Sequence, residues 1–136
     1  MKSKKKILLE IKKLCVSIAE NSKNKKLLKS ISFNIKKNEI VGIIGESGSG
    51  KSLTALCILG LLEKKNFNIS GEIYFNQINI VNLQENEIVK IRGSEISMIF
   101  QEPMTALNPT MKIGEQLFEV FQSHEKIDSK EISSRI

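Results

Sequence analysis

A glycine-rich stretch between two apolar runs constrains the fold of this chain more than any other feature. The sequence GESGSGKS, residues 45–52, satisfies the spacing G-x-x-x-x-G-K-[ST]. Its flanks are EIVGII, typical of a strand buried on both faces of a sheet, and LTALCILGLL, typical of a buried helix. A strand that ends in such a loop and continues as a helix is characteristic of phosphate-binding α/β proteins. The predicted fold class is therefore α/β.

The residue types in this loop suit the capture of phosphate groups. Glycine enters backbone conformations closed to other residues, so consecutive N–H groups can converge on an anion. The helix that follows directs its unpaired N–H groups and positive dipole end at the same point. Lys51 is predicted to reach the β- and γ-phosphates, and Ser52 to contact Mg²⁺. The predicted nucleoside triphosphate site is Gly45, Glu46, Ser47, Gly48, Ser49, Gly50, Lys51 and Ser52.

Charge and length limit the other classes of function. The 136 residues fit a single domain, with 15 basic and 5 acidic side chains before residue 69. The lysines are not interleaved with aromatic residues, which predicts a solvated face rather than a nucleic-acid site. Cys15 and Cys57 lack CxxC spacing and fit a reducing compartment. The longest uncharged apolar run has ten residues, whereas a bilayer needs about 20.

Hydrophobic periodicity predicts the remaining elements. Period-two alternation favours strands near residues 7–11 and at 31–35, joined through the polar segment 21–26. GEIYFN from Gly71 and EISMIF from Glu95 resemble two further strands, and LQENEIVKIR a short surface helix. MKIGEQLFEVFQSH is predicted to be a helix, with one apolar face formed by Ile113, Leu117, Val120 and Phe121.

Two other kinds of phosphate-loop protein fit poorly. A GTPase needs an N-K-x-D motif, and the Asn-Lys pair at residues 24–25 is followed by Lys26 and Leu27. A small-molecule kinase usually holds phosphates with several arginines, and this chain contains only Arg92 and Arg135. The residues of the loop therefore predict a nucleoside triphosphate as ligand, in a protein of neither of these two classes.

The segment MIFQEPMTALNP, residues 98–109, resembles the Q-loop of ABC transporter ATP-binding subunits. Together with GESGSGKS, it is most similar to the oligopeptide, dipeptide and nickel importer branch. The resemblance implies one P-loop domain across residues 1–136, with antiparallel strands, the phosphate-loop strand and helix, a Q-loop at 101–109 and the start of a helical subdomain at 110–136. It also implies a cytoplasmic ATPase, peripheral on the inner face of the membrane, which binds ATP and Mg²⁺, pairs with a second ATP-binding subunit and docks on permease subunits.

The resemblance assigns roles to two more residues. In the family the Q-loop glutamine reaches Mg²⁺ and the attacking water, a role that falls on Gln101. Members commonly stack an aromatic residue on adenine, and the matching position here is Ile18, an aliphatic residue. From the residues alone, the segment 102–109, with Pro103 and Pro109, is an irregular loop that fits a ligand site and a simple connection equally well.

Several motifs of a complete subunit have no counterpart in the sequence. In the family these motifs are a Walker B strand that ends in an acidic pair, a glycine-containing signature and a switch histidine. Here the single aspartate, Asp128, lies in a polar setting, no two glycines are adjacent, and the single histidine, His124, is predicted to lie on the surface. The chain is therefore expected to represent the first part of an incomplete domain and to be inactive alone. Two functions remain open: a transport ATPase, or a nucleotide-binding remnant without catalysis. The transported substrate, peptide or nickel, stays open as well.

Overall fold

A computed structural model of the protein describes residues 6–20, 23–103, 107–125 and 128–136. The chain divides into two compact units, residues 1–84 and 85–136. The first contains a β-sheet and helix α1, and the regular elements described in the second are helices. This mixture confirms the α/β class. No helix within the described ranges is both long and apolar enough to cross a bilayer.

The sheet of the first unit is antiparallel, with strand order β2-β1-β3-β4. Its strands are β1 (Ile7–Glu20), β2 (Lys23–Lys36), β3 (Phe67–Phe75) and β4 (Ile78–Asn79). The strands predicted near 7–11, 31–35 and from Gly71 are thus confirmed, and each is longer than its pattern indicated. Of the predicted connection at 21–26, residues 21 and 22 lie outside the described ranges, and 23–26 belong to β2, so that part was wrong.

Buried apolar residues of β1 form the centre of this unit, and the register of β1 with β2 shifts between Ile11 and Leu14. Ile11, Leu14 and Val16 are no more than 1% exposed, while Glu10 and Lys12 lie on the opposite face and form an ion pair of 3.1 Å. This division of apolar and charged side chains between the two faces is usual for an antiparallel sheet. One face of the sheet therefore carries the core.

A short helix follows the glycine loop. Helix α1 spans Lys51–Ile58, and its fully buried residues are Thr54 and Cys57. The prediction of a helix buried nearly all round was wrong, because the other apolar side chains of α1 are only half-buried. Cys57, inside this apolar run, is buried, with 5% of its surface exposed. Burial raises the pKa of the Cys57 thiol to about 11.

The second unit contains the two predicted helices, α2 (Glu85–Ile88) and α3 (Ile113–His124). A further helix, α4 (Ser129–Arg135), was not predicted from the sequence. Asp128 caps α4 by accepting hydrogen bonds from the N–H groups of Lys130 at 2.7 Å and Glu131 at 3.0 Å. His124 is exposed, as predicted. The apolar face expected on α3 exists, but Ile113 and Val120 on that face are more than half exposed.

Two predicted strands are absent from the structure. Residues 39–44 (EIVGII) and 97–100 within EISMIF have no regular secondary structure, and Ile96 makes only an isolated bridge to Arg92. Ile44 and Ile99 are 98% and 92% exposed. The physical reason is that no described strand runs beside either segment, and an apolar run forms a strand only when neighbours supply its hydrogen bonds.

Candidate functional site at the glycine loop

The glycine loop is joined to the sheet at its last glycine. Gly50 has φ of 94°, and a Cβ atom there would lie 2.4 Å from Leu28 Cδ2. Leu28 is buried and pairs with Val16 on β1. Only glycine fits both the left-handed conformation and this close approach. The end of the loop is therefore packed against the core of the first unit.

Helix α1 presents an uncapped N-terminus to the loop. Gly50 supplies no side-chain cap, and the first turn contains no acidic residue. The first N–H group bonded within this turn is that of Thr54, which donates to Gly50 O at 2.8 Å. The N–H groups of Lys51, Ser52 and Leu53 have no acceptor within the described residues. Unpaired N–H groups and the positive end of the helix dipole favour an anion at this position.

The ammonium group of Lys51 lies inside the curve of the loop. Its Nζ donates to Gly45 O at 2.8 Å and to Glu46 O at 2.7 Å, and it lies 3.4 Å from Ser49 Oγ. Backbone and hydroxyl oxygens are weaker partners for an ammonium than a charged oxygen, because charge-assisted hydrogen bonds are roughly twice as strong. An incoming phosphate can thus replace these contacts with stronger ones.

The remaining loop residues are open to solvent. Ser47 and Gly48 form a turn, in which Gly48 has φ of 78°. Ser52 is exposed, and its hydroxyl has no hydrogen-bond partner among the described residues. A free hydroxyl in the first helical turn suits a contact to Mg²⁺ bound between phosphates. Residues 45–52 therefore form one continuous surface with a cation, free N–H groups and an available hydroxyl.

Ile18 lies on β1 in the same unit as the loop. It is half-buried, and its cross-strand neighbours are Lys25 on β2 and Phe67 on β3. Sequence reasoning missed Phe67, because β3 was predicted to begin only at Gly71. The alternation of Phe67 and Ile69 with the polar residues Asn68 and Ser70 would have suggested an earlier start, although Gly71 interrupts that alternation.

Gln101 belongs to the second unit and is exposed. It does not end a strand, contrary to the prediction, and residues 104–106 of the predicted Q-loop lie outside the described ranges. The last part of that loop is held by α3, where Gln116 Oε1 accepts from Asn108 N at 3.0 Å and Gln116 Nε2 donates to Asn108 O at 3.0 Å. The role of Gln101 stays a prediction.

Residues 28–135 match the family model described as ABC transporter. The chain is 45% identical over 123 residues to the dipeptide transport ATP-binding protein DppD of Lactococcus lactis, with 90% of this chain and 35% of that protein aligned. It is 44% identical over 129 residues to the oligopeptide transport ATP-binding protein OppD of Bacillus subtilis, covering 94% of this chain and 36% of that protein. The chain thus spans about a third of the length of these relatives.

The structure is similar to solved ABC cassettes. A dimeric bacterial ABC transporter cassette superposes with a TM-score of 0.75 at 27% identity, covering 94% of this chain and 53% of the cassette. A post-hydrolysis form of that cassette, bound to ADP and phosphate, gives a TM-score of 0.74 at 25% identity. Family model, relatives and structural neighbours agree with the geometry of the glycine loop, and the chain belongs to the ABC transporter family.

Proposed function

We propose that this chain is the nucleotide-binding part of the ATP-binding subunit of an ABC importer for peptides or nickel. Residues 45–52 hold the triphosphate of ATP, and Ser52 contacts the accompanying Mg²⁺. In the whole subunit, ATP binding and hydrolysis drive transport through permease subunits in the cytoplasmic membrane, with a second ATP-binding subunit as partner. The names of the relatives, which are dipeptide and oligopeptide transport proteins, support the choice of substrate class.

One observation carries the nucleotide-binding proposal. The N–H groups of residues 51–53 have no acceptor among the described residues, and the ammonium of Lys51 donates to the loop oxygens Gly45 O at 2.8 Å and Glu46 O at 2.7 Å. Each is a donor to an anion, and no acidic side chain of the first helical turn competes for them. A triphosphate offers oxygens of the matching charge and number. Mg²⁺ would supply further neutralisation of the phosphate charge when it binds with the nucleotide.

Titration with a fluorescent ATP analogue tests this proposal. Lys51→Ala removes the side-chain cation of the loop, and we expect roughly 10- to 150-fold weaker binding, since hydrogen bonds to charged groups contribute about 1.5–3 kcal/mol. Ser52→Ala should weaken binding with Mg²⁺ present and have little effect in EDTA. Lys64→Ala is the matched control. Lys64 is also a lysine of the first unit, but its Nζ donates to Val81 O, at 3.3 Å, and not to an oxygen of the loop. Equal affinity in the Lys51→Ala and wild-type chains would contradict the assignment.

A second function, nucleotide binding without turnover, is favoured by the position of the single aspartate in the sequence. Asp128 is the single aspartate, and it caps helix α4 instead of standing at the end of a buried strand. Phosphoryl transfer depends on several groups that stabilise charge together, so loss of several removes nearly all rate enhancement. Phosphate release above background by the purified wild-type chain, abolished in Lys51→Ala, would contradict this second function.

A further inference from the structure

An aromatic residue on the neighbouring strand β3 lies directly opposite Ile18. The register of β1 and β3 pairs Ile18 with Phe67 and Val16 with Ile69, without a shift between these pairs. Directly opposed residues of antiparallel strands point to the same face, with Cβ atoms about 4.5–5.5 Å apart. Ile18 and Phe67 are both half-buried. They therefore form one apolar surface that stays partly accessible.

This surface continues from the part of the sheet that holds the glycine loop. Gly50 packs against Leu28, which pairs with Val16. Ile18 follows Val16 by two residues on the same strand, so it lies on the same face about 7 Å further along. The apolar face thus extends from the end of the loop to Ile18 and Phe67, without leaving the first unit.

A nucleotide whose phosphates occupy the loop must place its base near the loop, because only a ribose separates the base from the phosphates. A base is a flat apolar surface with polar edges, and it stacks well on an aromatic ring but less specifically on an aliphatic side chain. Phe67 offers such a ring beside Ile18, on the face that reaches the loop. We propose that Phe67, supplied by β3, is the residue that contacts the adenine base, with Ile18 completing the apolar surface; the proposal rests on the nucleotide binding proposed above.

The first test separates contact with the base from contact with the phosphates. Calorimetry would measure the affinities of wild type, Phe67→Ala and Phe67→Tyr for ATP and for inorganic tripolyphosphate, which has no base. Loss of one stacked ring costs roughly 5- to 150-fold in affinity. We expect Phe67→Ala to lose that factor for ATP and to bind tripolyphosphate as the wild type does. Phe67→Tyr, which keeps the ring, should restore the ATP affinity.

A spectroscopic test uses the absence of tryptophan from the chain. In Phe67→Trp the single indole should change its emission on addition of ATP and remain unchanged on addition of tripolyphosphate. Tyr74→Trp is the matched control, because Tyr74 lies on the same strand but beside Lys12, whose Nζ is 4.9 Å from the ring centre, on the charged face. Its emission should not respond to either ligand.

The outcomes distinguish this inference from the proposed function. If the wild type binds neither ATP nor tripolyphosphate, the proposed function fails, and the inference fails with it. If the wild type binds both, and Phe67→Ala binds both with wild-type affinity, the inference alone is overturned. An equal loss for both ligands in Phe67→Ala would also overturn it, because that result assigns Phe67 to the fold and not to the base.

Discussion

Two apolar stretches of the first unit have similar composition and opposite environments. The core residues of β1, including Ile11 and Val16, are at most 1% exposed, whereas in residues 40–44 Ile40 and Ile44 are fully exposed. Both stretches are rich in β-branched residues, which favour strands. The difference lies in their neighbours, since β1 is paired on both sides, by β2 and β3. Composition makes a strand possible, and pairing decides whether it forms.

The two stretches also differ in how pairing can arise. Both neighbours of β1 are antiparallel, and β2 follows β1 after a short connection, whereas β3 begins only at Phe67. A run that is apolar on both faces is typical of a parallel sheet, in which neighbouring strands are joined by crossovers of a dozen or more residues. A strand at residues 39–44 would therefore need neighbours joined through long crossovers, whereas β1 obtains one neighbour, β2, from the segment that directly follows it.

Removing a core side chain of β1 should have the largest effect on stability. Ile11 is 1% exposed, and replacement by alanine leaves a cavity, so we expect Ile11→Ala to lower the free energy of unfolding by about 2–5 kcal/mol. Urea unfolding followed by circular dichroism measures this change. A loss below about 1 kcal/mol would mean that β1 contributes no more than a surface segment.

Substitution of Gly50 tests the point where the sheet meets the loop. Gly50→Ala places a methyl group 2.4 Å from Leu28 Cδ2 at a φ of 94°. Backbone strain of this kind costs about 1–3 kcal/mol, and we expect a similar loss of stability together with weaker binding of the fluorescent ATP analogue.

Gly42→Ala is the matched control for that substitution. No atom lies within 4 Å of the position that a Cβ would occupy there, and Gly42 is not among the residues with positive φ. The control should leave stability unchanged or raise it by about 0.4–1 kcal/mol. If both alanine variants behave alike, the contact between Gly50 and Leu28 does not hold the loop on the sheet.

The sequence allowed the local parts of the molecule to be predicted. The spacing of Gly45, Gly50 and Lys51 identifies the loop because phosphate capture needs those residues in that order. Period-two alternation identifies β1 and β2, since each shows one face to water. These patterns are set by nearby residues, so they are readable without the fold.

The remaining features depend on long-range pairing that periodicity does not encode. The exposure of Ile44 and Ile99 follows from the absence of a strand beside them in the described ranges. The position of Phe67 opposite Ile18 follows from the register of two strands separated by 46 residues along the chain. Side-chain composition gives no information on such a register, which is why the aromatic neighbour of Ile18 was missed.

The smallest effect on stability is expected when an isoleucine of the exposed stretch, residues 40–44, is replaced by alanine. Ile44→Ala deletes the same groups as Ile11→Ala, but Ile44 is 98% exposed, so no cavity forms and no apolar surface leaves a packed interior. We expect a change within about 0.5 kcal/mol, as for most surface substitutions, by the same urea measurement. Ile40→Ala, at a second fully exposed position, should agree with it. A loss approaching that of Ile11→Ala would show that residues 40–44 are covered in solution, and the contrast between the two stretches would then disappear.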